Sequence, residues 1–431
     1  MRINKYCAIL FLLLMLELNC FGFVDKYGLY ILGVGYFDIV FFIKILVIGL
    51  SIILNIQVFQ RRKILLDILP IGAIVSSITS AVAGNLSSGQ PIFSGLWAQR
   101  EWLSSILLYY PIRIWLEKGK LNYKKIIETL FFASSIYLVI CIVQYILIDY
   151  VKFLSVSTSS ERYGDVRLVF NTILPIVTSA FCLATLLSEG SGKKEKRICV
   201  VIIACTIILA AFVTKGRMRT LSFIAGMAIC ALIRRGSIKK KAFSIGVIVL
   251  GCFFLMSSPI GQDILDVLWG SGTGLSADTL TIRDAESVYY LSKIFESLNS
   301  FVFGCGYPNS SWAPAVALST PTVGNWTYYT TDIGIIGDFY YYGIVGVIWF
   351  IAIYLMMLYQ GIQIYKKTRN TAFIQIVIVD LIGAMTLVPL LFSTTLVMPL
   401  LVALMESLRL DNQTNYNYSY NSLAVERSQK A

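Results

Sequence analysis

Histidine is absent from this 431-residue sequence, and charged residues make up only 14% of it. Without histidine, the chain lacks the side chain that most often serves as a general base or a metal ligand. Any catalytic chemistry must therefore use carboxylates, arginine, lysine, tyrosine or backbone groups. Charge is scarce because hydrophobic residues occupy 57% of the sequence, a fraction that excludes an ordinary soluble domain of this length.

The nine cysteines have neither the spacing of a zinc site nor that of a disulfide framework. Of these residues, only Cys305 falls in a sizeable segment between apolar runs. We therefore expect no metal centre.

The apolar residues form long runs separated by short clusters of lysine and arginine. A helix needs about 20 such residues to cross a hydrocarbon core of roughly 30 Å, and the runs are too long for the strands of a membrane barrel. We predict an all-α polytopic membrane protein with about 12 transmembrane helices and one large extracytoplasmic loop containing an amphipathic helix. The predicted spans are residues 6–24, 36–59, 64–84, 96–116, 126–148, 167–188, 198–214, 220–233, 242–259, 333–359, 372–388 and 390–408.

Basic residues set the predicted orientation, because lysine and arginine concentrate in cytoplasmic loops. The N-terminus, with Arg2 and Lys5, is predicted to be cytoplasmic. The net charge of +12 is then mostly a topology signal, and no nucleic-acid partner is expected. Basic clusters occur in alternate loops, near residues 61–63, 118–125, 193–197, 234–241 and 366–369.

The predicted organisation has four parts. Residues 1–259 hold transmembrane helices 1–9, residues 260–332 form the large extracytoplasmic loop, residues 333–408 hold transmembrane helices 10–12, and residues 409–431 form a cytoplasmic polar tail. A loop of this length in a compact protein is usually either functional or disordered, and its content of Gly, Pro, Trp and Tyr is typical of an ordered one.

Within this loop, residues 281–299 have the spacing of an amphipathic helix. Apolar residues stand at 288, 291, 294, 295 and 298, which share one helical face. Its predicted polar side is either a solvated surface or a lid facing a substrate. The charged residues on that side are Arg283, Asp284, Glu286 and Lys293.

Three cations, Lys215, Arg217 and Arg219, lie between two apolar runs on the predicted outer side. The positive-inside rule disfavours cations there, so topology does not explain them. We interpret the cluster as an anion-binding site.

Three further arginines, Arg100, Arg167 and Arg283, fall on the same predicted side. An interfacial anchor or a pair with a neighbouring carboxylate explains each of them alone. With Arg217 and Arg219 they make five guanidinium groups, the side chain best suited to gripping phosphate or diphosphate through paired hydrogen bonds.

Some charges lie inside predicted spans. Glu17 and Lys44 sit at similar depth in the first two spans, and we expect them to form an ion pair. Asp380, in the eleventh span, has no obvious partner in the sequence and is left without a role.

Several short motifs accompany the long loop: the Arg-x-Arg turn at 217–219, Phe303-Gly304-Cys305-Gly306, and Asp332-Ile333-Gly334-Ile335-Ile336-Gly337 leading to Gly343-Ile344-Val345-Gly346. In these motifs and in its architecture, the chain resembles the O-antigen polymerase and ligase superfamily. The resemblance covers most of the chain by architecture and about residues 210–350 by motif.

The resemblance implies a polysaccharide polymerase, for O-antigen or capsule, in the bacterial cytoplasmic (inner) membrane with its active site facing the periplasm or exterior. The implied reaction is metal-independent, needs no cofactor, and transfers an undecaprenyl-diphosphate-linked glycan to an acceptor lipid-linked repeat unit. The implied partners are the lipid-linked oligosaccharide and the lipid bilayer, and a chain-length regulator and a flippase are candidate protein partners.

The resemblance also gives the candidate residues roles. Arg217 and Arg219 are the first candidates to stabilise charge on the departing diphosphate. Asp332 is the leading base for the acceptor hydroxyl, with Glu286 in reserve, although Asp332 at a helix start also suits an N-cap. The candidate substrate-binding residues are Arg100, Arg167, Lys215, Arg283 and Tyr289.

The sequence departs from the superfamily patterns in two places. Ligases carry a histidine before a Gly-x-x-Gly pair, and here Gly343 and Gly346 keep the spacing but Asp332 stands in the histidine's place. Some polymerases have glycine eleven residues after a loop arginine, which neither Arg167 nor Arg283 has. An O-antigen ligase and a lipid-linked glycan flippase or transporter are the alternatives, although no internal repeat typical of transporters is evident.

Overall fold

The computed structural model describes residues 4–20, 35–62, 64–151, 154, 158–162, 165–188, 192–214, 216–233, 246, 275–324 and 326–410. Several predictions fall outside these described residues. They concern Lys215, the span at 242–259 apart from Gly246, the first part of the predicted loop at 260–274, and residues 411–431 of the predicted tail.

Helices form most of the described chain. In order they are α1 (Lys5–Glu17), α2 (Tyr36–Ile53), α3 (Ile56–Arg62), α4 (Ile68–Ser88), α5 (Ile92–Ala98), α6 (Arg100–Leu107), α7 (Tyr109–Glu117), α8 (Tyr123–Ile146), α9 (Ile173–Leu187), α10 (Lys193–Ile208), α11 (Arg217–Ile233), α12 (Leu275–Ile294), α13 (Leu298–Phe303), α14 (Ala313–Ser319), α15 (Ile335–Thr368), α16 (Ala372–Gly383) and α17 (Val397–Leu410). Two antiparallel hairpins pair β1 (Thr158–Arg162) with β2 (Asp165–Leu168) and β3 (Thr322–Val323) with β4 (Trp326–Thr327).

Among the described residues, five helices are long and apolar enough to cross a membrane: α2, α4, α8, α15, and α10 together with the π-helical turn that extends it to Val213. Shorter apolar helices are α9, α16 and residues Met218–Ile233 of α11. On α2, Phe42 and Leu46 are 55% and 60% exposed at the protein surface, as expected for side chains that face lipid. The chain is therefore a mostly helical protein with membrane-spanning character.

The bounds of two predicted spans were wrong. Helix α1 ends at Glu17 instead of continuing to residue 24, and residues 18–20 form a turn. The span predicted at 96–116 consists of α5, α6 and α7, which meet at Gln99 and Leu108. Hydropathy could not reveal the joint at Leu108 because the side chains around it remain apolar, whereas the polar run Gln99-Arg100-Glu101 marks the joint at Gln99.

Two short helices lie where spans were predicted at 372–388 and 390–408. Helix α16 ends at Gly383 and α17 begins at Val397, with a short 3-10 turn (Leu390–Phe392) between them. Pro389 precedes that turn and has no N–H to continue a helical hydrogen-bond ladder. The connection therefore places non-helical backbone inside the bundle, with Leu390 and Leu391 buried.

Helix α15 is broken at Gly343, where the backbone has φ 62° and ψ −166°. A left-handed φ of this kind is accessible to glycine at little cost. The first part of α15, residues 335–342, begins after Gly334, whose neighbour Ile335 donates its N–H to the Ala384 carbonyl at 2.9 Å. The start of α15 thus lies against the residue that follows α16.

Residues 304–312, here called the docking segment, bind the end of α4. The Tyr307 N–H donates to Ser80 Oγ at 3.0 Å, Ser87 Oγ donates to the Cys305 carbonyl at 2.6 Å, and Trp312 Nε1 donates to the Ser88 carbonyl at 3.1 Å. These contacts fix residues from the predicted loop against a helix that is long enough to cross the membrane.

The predicted amphipathic helix is present, but its ends and its buried face differ from the prediction. Helix α12 stops at Ile294, and Ser297 caps the next helix by accepting from the Ser300 N–H. Tyr290 and Ile294 are fully buried, whereas Val288 and Phe295, assigned to the apolar stripe, are 68% and 63% exposed. The stripe was misassigned because α12 packs through Tyr290 onto Tyr340 of α15, with ring centroids 4.9 Å apart.

Candidate functional site

Arg219 lies in the first turn of α11, half-buried between α9 and α16. Its Nη1 donates to Thr172 Oγ1 at 3.2 Å, and its guanidinium interacts electrostatically with Asp380. Arg219, Ser222 and Asp380 are the polar side chains of a small cavity whose other lining side chains are apolar, among them Ile176 and Val379. A cation is thus held in surroundings where cations are rare and commonly functional.

The volume of this cavity is about 40 Å³, enough for a few water molecules. In the described conformation it therefore has room for a small group beside the guanidinium. A bulky glycan would require the lining to move.

Asp380, which the sequence left without a role, binds the connection between α16 and α17. Both of its carboxylate oxygens accept from the Leu390 N–H at 3.0 Å, and Oδ2 also accepts from the Tyr354 hydroxyl. Asp380 therefore joins three elements: α16, the second part of α15, and the non-helical connection. It also supplies the negative charge next to Arg219.

Asp338, on the first part of α15, is a second carboxyl in the same region. It is 7% exposed, and its Oδ2 is buried with no hydrogen-bond partner in the described part of the chain. Its carboxyl group interacts electrostatically with that of Asp380 and with the hydroxyl groups of Tyr307 and Tyr341. A buried acceptor atom without a donor is costly and calls for an explanation.

A chain of tyrosines links Asp338 to the residues predicted in the loop. The Tyr341 hydroxyl hydrogen-bonds Thr330 Oγ1, and Thr330 begins the turn that contains Asp332. The Tyr290 hydroxyl donates to the Ser319 carbonyl at 2.6 Å, with the Tyr328 carbonyl 3.2 Å away. Tyr328 precedes Tyr329, whose N–H binds Glu286. Hydroxyl groups of α12 and α15 therefore hold the segment that contains Asp332.

Glu286 is buried, with 2% of its surface exposed, and does not lie on a solvated helix face. Its Oε1 accepts from the Tyr329 N–H at 3.0 Å, while its Oε2 has no partner among the described residues. Burial raises the pKa of Glu286 above its ordinary value, against the opposing effect of the Tyr329 hydrogen bond. The Tyr329 carbonyl also accepts from the Asp332 N–H at 3.1 Å, so Asp332 is joined to Glu286 through the backbone of Tyr329. Arg283 lies three residues before Glu286 on α12.

Asp332 is exposed and lies in a short 3-10 turn (Thr330–Asp332). The N-cap of α15 is Gly334, which has no capping side chain. The N-cap alternative for Asp332 is therefore wrong. The helix starts two residues later than that role requires, because Gly334 takes a positive φ of 56° there.

Arg100 has protein partners of its own. Its Nη2 binds Asp38 Oδ1 at 2.8 Å, Glu101 lies 4.0 Å away, and the guanidinium carbon lies 4.8 Å from the centre of the Trp97 ring. This arrangement matches the alternative of a paired interfacial residue.

The other predicted residues are placed as follows. Arg217 begins α11 two residues before Arg219, and Arg167 lies in β2 opposite Ser159. Tyr289 is half-buried against the rings of Tyr290 and Tyr328.

Sequence reasoning missed Asp338 and gave Asp380 no role. A carboxylate inside an apolar run is a recognisable signal for both. Partners as distant in sequence as Arg219 and Asp380 cannot be paired without knowing that α11 packs on α16. Among the described residues, no group of three or more Asp, Glu or Cys side chains is arranged to bind a metal.

Comparison with known proteins gives no family for this chain: no family model matches it, and no curated protein matches it significantly.

Proposed function

We propose that this protein is a polysaccharide polymerase, a metal-independent membrane glycosyltransferase that makes O-antigen or capsule. It transfers an undecaprenyl-diphosphate-linked glycan to a sugar hydroxyl of an acceptor lipid-linked repeat unit. In this proposal about 12 helices span the bacterial inner membrane, and residues 260–332 face the periplasm or exterior.

The observation that carries the proposal is the position of Arg219. It places a guanidinium in a mostly apolar cavity between α9, α11 and α16. A lipid diphosphate combines an apolar chain with a strongly anionic group, which is the chemistry that such a cavity favours. The docked loop residues supply carboxylates and tyrosines for the sugar side of the reaction.

The proposed reaction forms a bond between the acceptor oxygen and the anomeric carbon, and breaks the bond from that carbon to the diphosphate oxygen. Arg219, with Arg217 beside it in sequence, stabilises the negative charge of the departing lipid diphosphate. Asp332 takes the hydroxyl proton, because it is exposed to an incoming acceptor and is joined to Glu286 through the backbone of Tyr329. The cavity must widen to admit the diphosphate, given its volume of about 40 Å³.

Purified protein should convert lipid-diphosphate repeat units into a ladder of longer glycans, with and without a chelator. Asp332→Asn should lower the rate on the order of 10²-fold without lowering the thermal unfolding midpoint, since the exposed side chain does not cap α15. Asp149→Asn, an exposed change at the end of α8, is the control. A product of single added units would contradict polymerase activity, and chelator inhibition would contradict the metal-free scheme.

A second candidate, a flippase or transporter for lipid-linked glycans, is favoured by one observation. Broken helices are typical of transporter binding sites. Here α15 is interrupted at Gly343, and the non-helical α16–α17 connection binds Asp380. In sealed vesicles a flippase moves labelled lipid-linked glycan between leaflets without lengthening it. If the purified protein lengthens the glycan in detergent, where there are no leaflets, transport does not explain its activity.

A further inference from the structure

A second buried polar cluster lies where α4, α7 and α17 meet. Tyr109, the first residue of α7, has no exposed surface. Its hydroxyl contacts Asp67 Oδ2 at 2.6 Å and also contacts Glu406 Oε2. Asp67 directly precedes α4 without capping it through its side chain, and Glu406 lies in α17.

The number of hydrogens in this cluster can be counted. A tyrosine hydroxyl carries one hydrogen and donates one hydrogen bond, while an ionised carboxylate only accepts. If Asp67 and Glu406 were both ionised, one of the two contacts would place oxygen lone pairs against each other. Two hydrogen bonds therefore require a second hydrogen, carried by one carboxyl group and donated to the Tyr109 oxygen.

The neighbouring charges do not remove this requirement. Arg113 Nη2 binds Glu117 Oε1 at 2.8 Å, and its Nε lies 3.8 Å from Glu406 Oε2. Two carboxyl groups thus approach the buried Arg113, and Glu117 makes the closer contact. The other ionisable groups that act on Asp67 or Glu406 are Arg409 and Tyr110.

We propose that Asp67 and Glu406 share one bound proton at neutral pH through Tyr109, forming a proton-binding site that ties α4 to α17. Loss of the proton leaves two carboxylates facing one hydroxyl, and their repulsion separates the two helices. The far part of α4 holds the docking segment through Ser80 and Ser87, so proton binding is placed to influence that contact.

Infrared spectroscopy of the purified full-length protein at neutral pH tests this proposal. The wild type should show the stretching band of a protonated carboxyl group, shifted in heavy water. In at least one of the variants Asp67→Asn and Glu406→Gln, the area of this band should fall by the amount expected for one carboxyl group. Glu117→Gln, which changes a carboxyl that binds Arg113, should lose only carboxylate signal.

Absence of any protonated carboxyl band in the wild type overturns the proposal without any variant. If both carboxyl variants keep the full band, the proton lies elsewhere and the proposal is wrong. Tyr109→Phe preserves the ring and should shift the frequency of the band, because the protonated carboxyl loses its acceptor. An unchanged band in a folded Tyr109→Phe protein also contradicts the proposal.

Discussion

Gly304 and Gly343 lie back to back, so that a Cβ on Gly304 would come within 2.7 Å of the Gly343 nitrogen. Both have left-handed backbones, with φ of 83° and 62°. Next to this contact, the Cys305 N–H donates to the Tyr340 carbonyl at 2.6 Å. The glycine motifs noted at 303–306 and 343–346 therefore meet in space, where they fasten the docking segment to the break in α15.

Gly304→Ala should release the docking segment. The left-handed φ costs alanine about 1 kcal/mol and the collision about 2 kcal/mol more, so we expect a loss of about 3 kcal/mol in the free energy of unfolding. Gly324→Ala is the matched control, because Gly324 has a φ of 64° but no atom within 4 Å of its Cβ position. Thermal unfolding and protease cleavage near residue 310 would check this, and equal effects of both changes would refute the close contact as the cause.

Lys44→Met should destabilise the protein by about 3 kcal/mol, because it strands a buried charge. Lys44 Nζ lies 3.1 Å from Glu17 Oε1, and the two side chains are 2% and 3% exposed. Adding Glu17→Gln to Lys44→Met should restore much of the loss, as measured by the thermal unfolding midpoint. If the double variant is less stable than Lys44→Met alone, the ion pair with Glu17 does not explain how Lys44 stabilises the protein.

The stability of the loop region should depend on pH through Glu286. Its folded pKa is raised by burial, so the folded state favours the neutral form. This contribution to stability is fully present below the unfolded value of about 4.3 and is lost as pH rises through the folded pKa. Glu286→Gln should remove that loss, so its unfolding midpoint should rise relative to that of the wild type as pH increases above about 4.

Glu296→Gln changes an exposed carboxylate that binds Lys293 and serves as the control for Glu286. If the unfolding midpoints of the wild type and Glu286→Gln change with pH in parallel across this range, the folded pKa of Glu286 is not raised as described.

Asp338→Asn should separate stability from activity. Removing an uncompensated buried carboxyl should keep or raise the unfolding midpoint. If Asp338 serves the reaction, glycan transfer should fall at least tenfold, as expected where an unfavourable group is retained for function. Unfolding midpoints and product ladders measured on one preparation decide between these outcomes, and a stabilised, fully active variant would remove Asp338 from the mechanism.

The sequence predicted the helical membrane class and the Glu17–Lys44 pair, since both follow from local hydrophobicity and depth. It predicted a helix at 281–299 but misjudged its buried face, because Tyr290 packs on Tyr340, a contact across fifty residues. The breaks at Leu108 and Gly343 have no hydropathy signal. The neighbourhood of Arg219, Asp380 and Asp338 depends on how three helices pack, which one sequence does not specify.

The central claim is that Arg219 binds the diphosphate of a lipid-linked glycan during its transfer. The most direct measurement is single-turnover glycan transfer by purified Arg219→Ala and Arg219→Lys, compared with Arg197→Ala, an exposed change near the start of α10. We predict a loss on the order of 10²-fold or more for alanine, a partial recovery for lysine, and wild-type rates for Arg197→Ala. Wild-type transfer by a folded Arg219→Ala protein would contradict the claim.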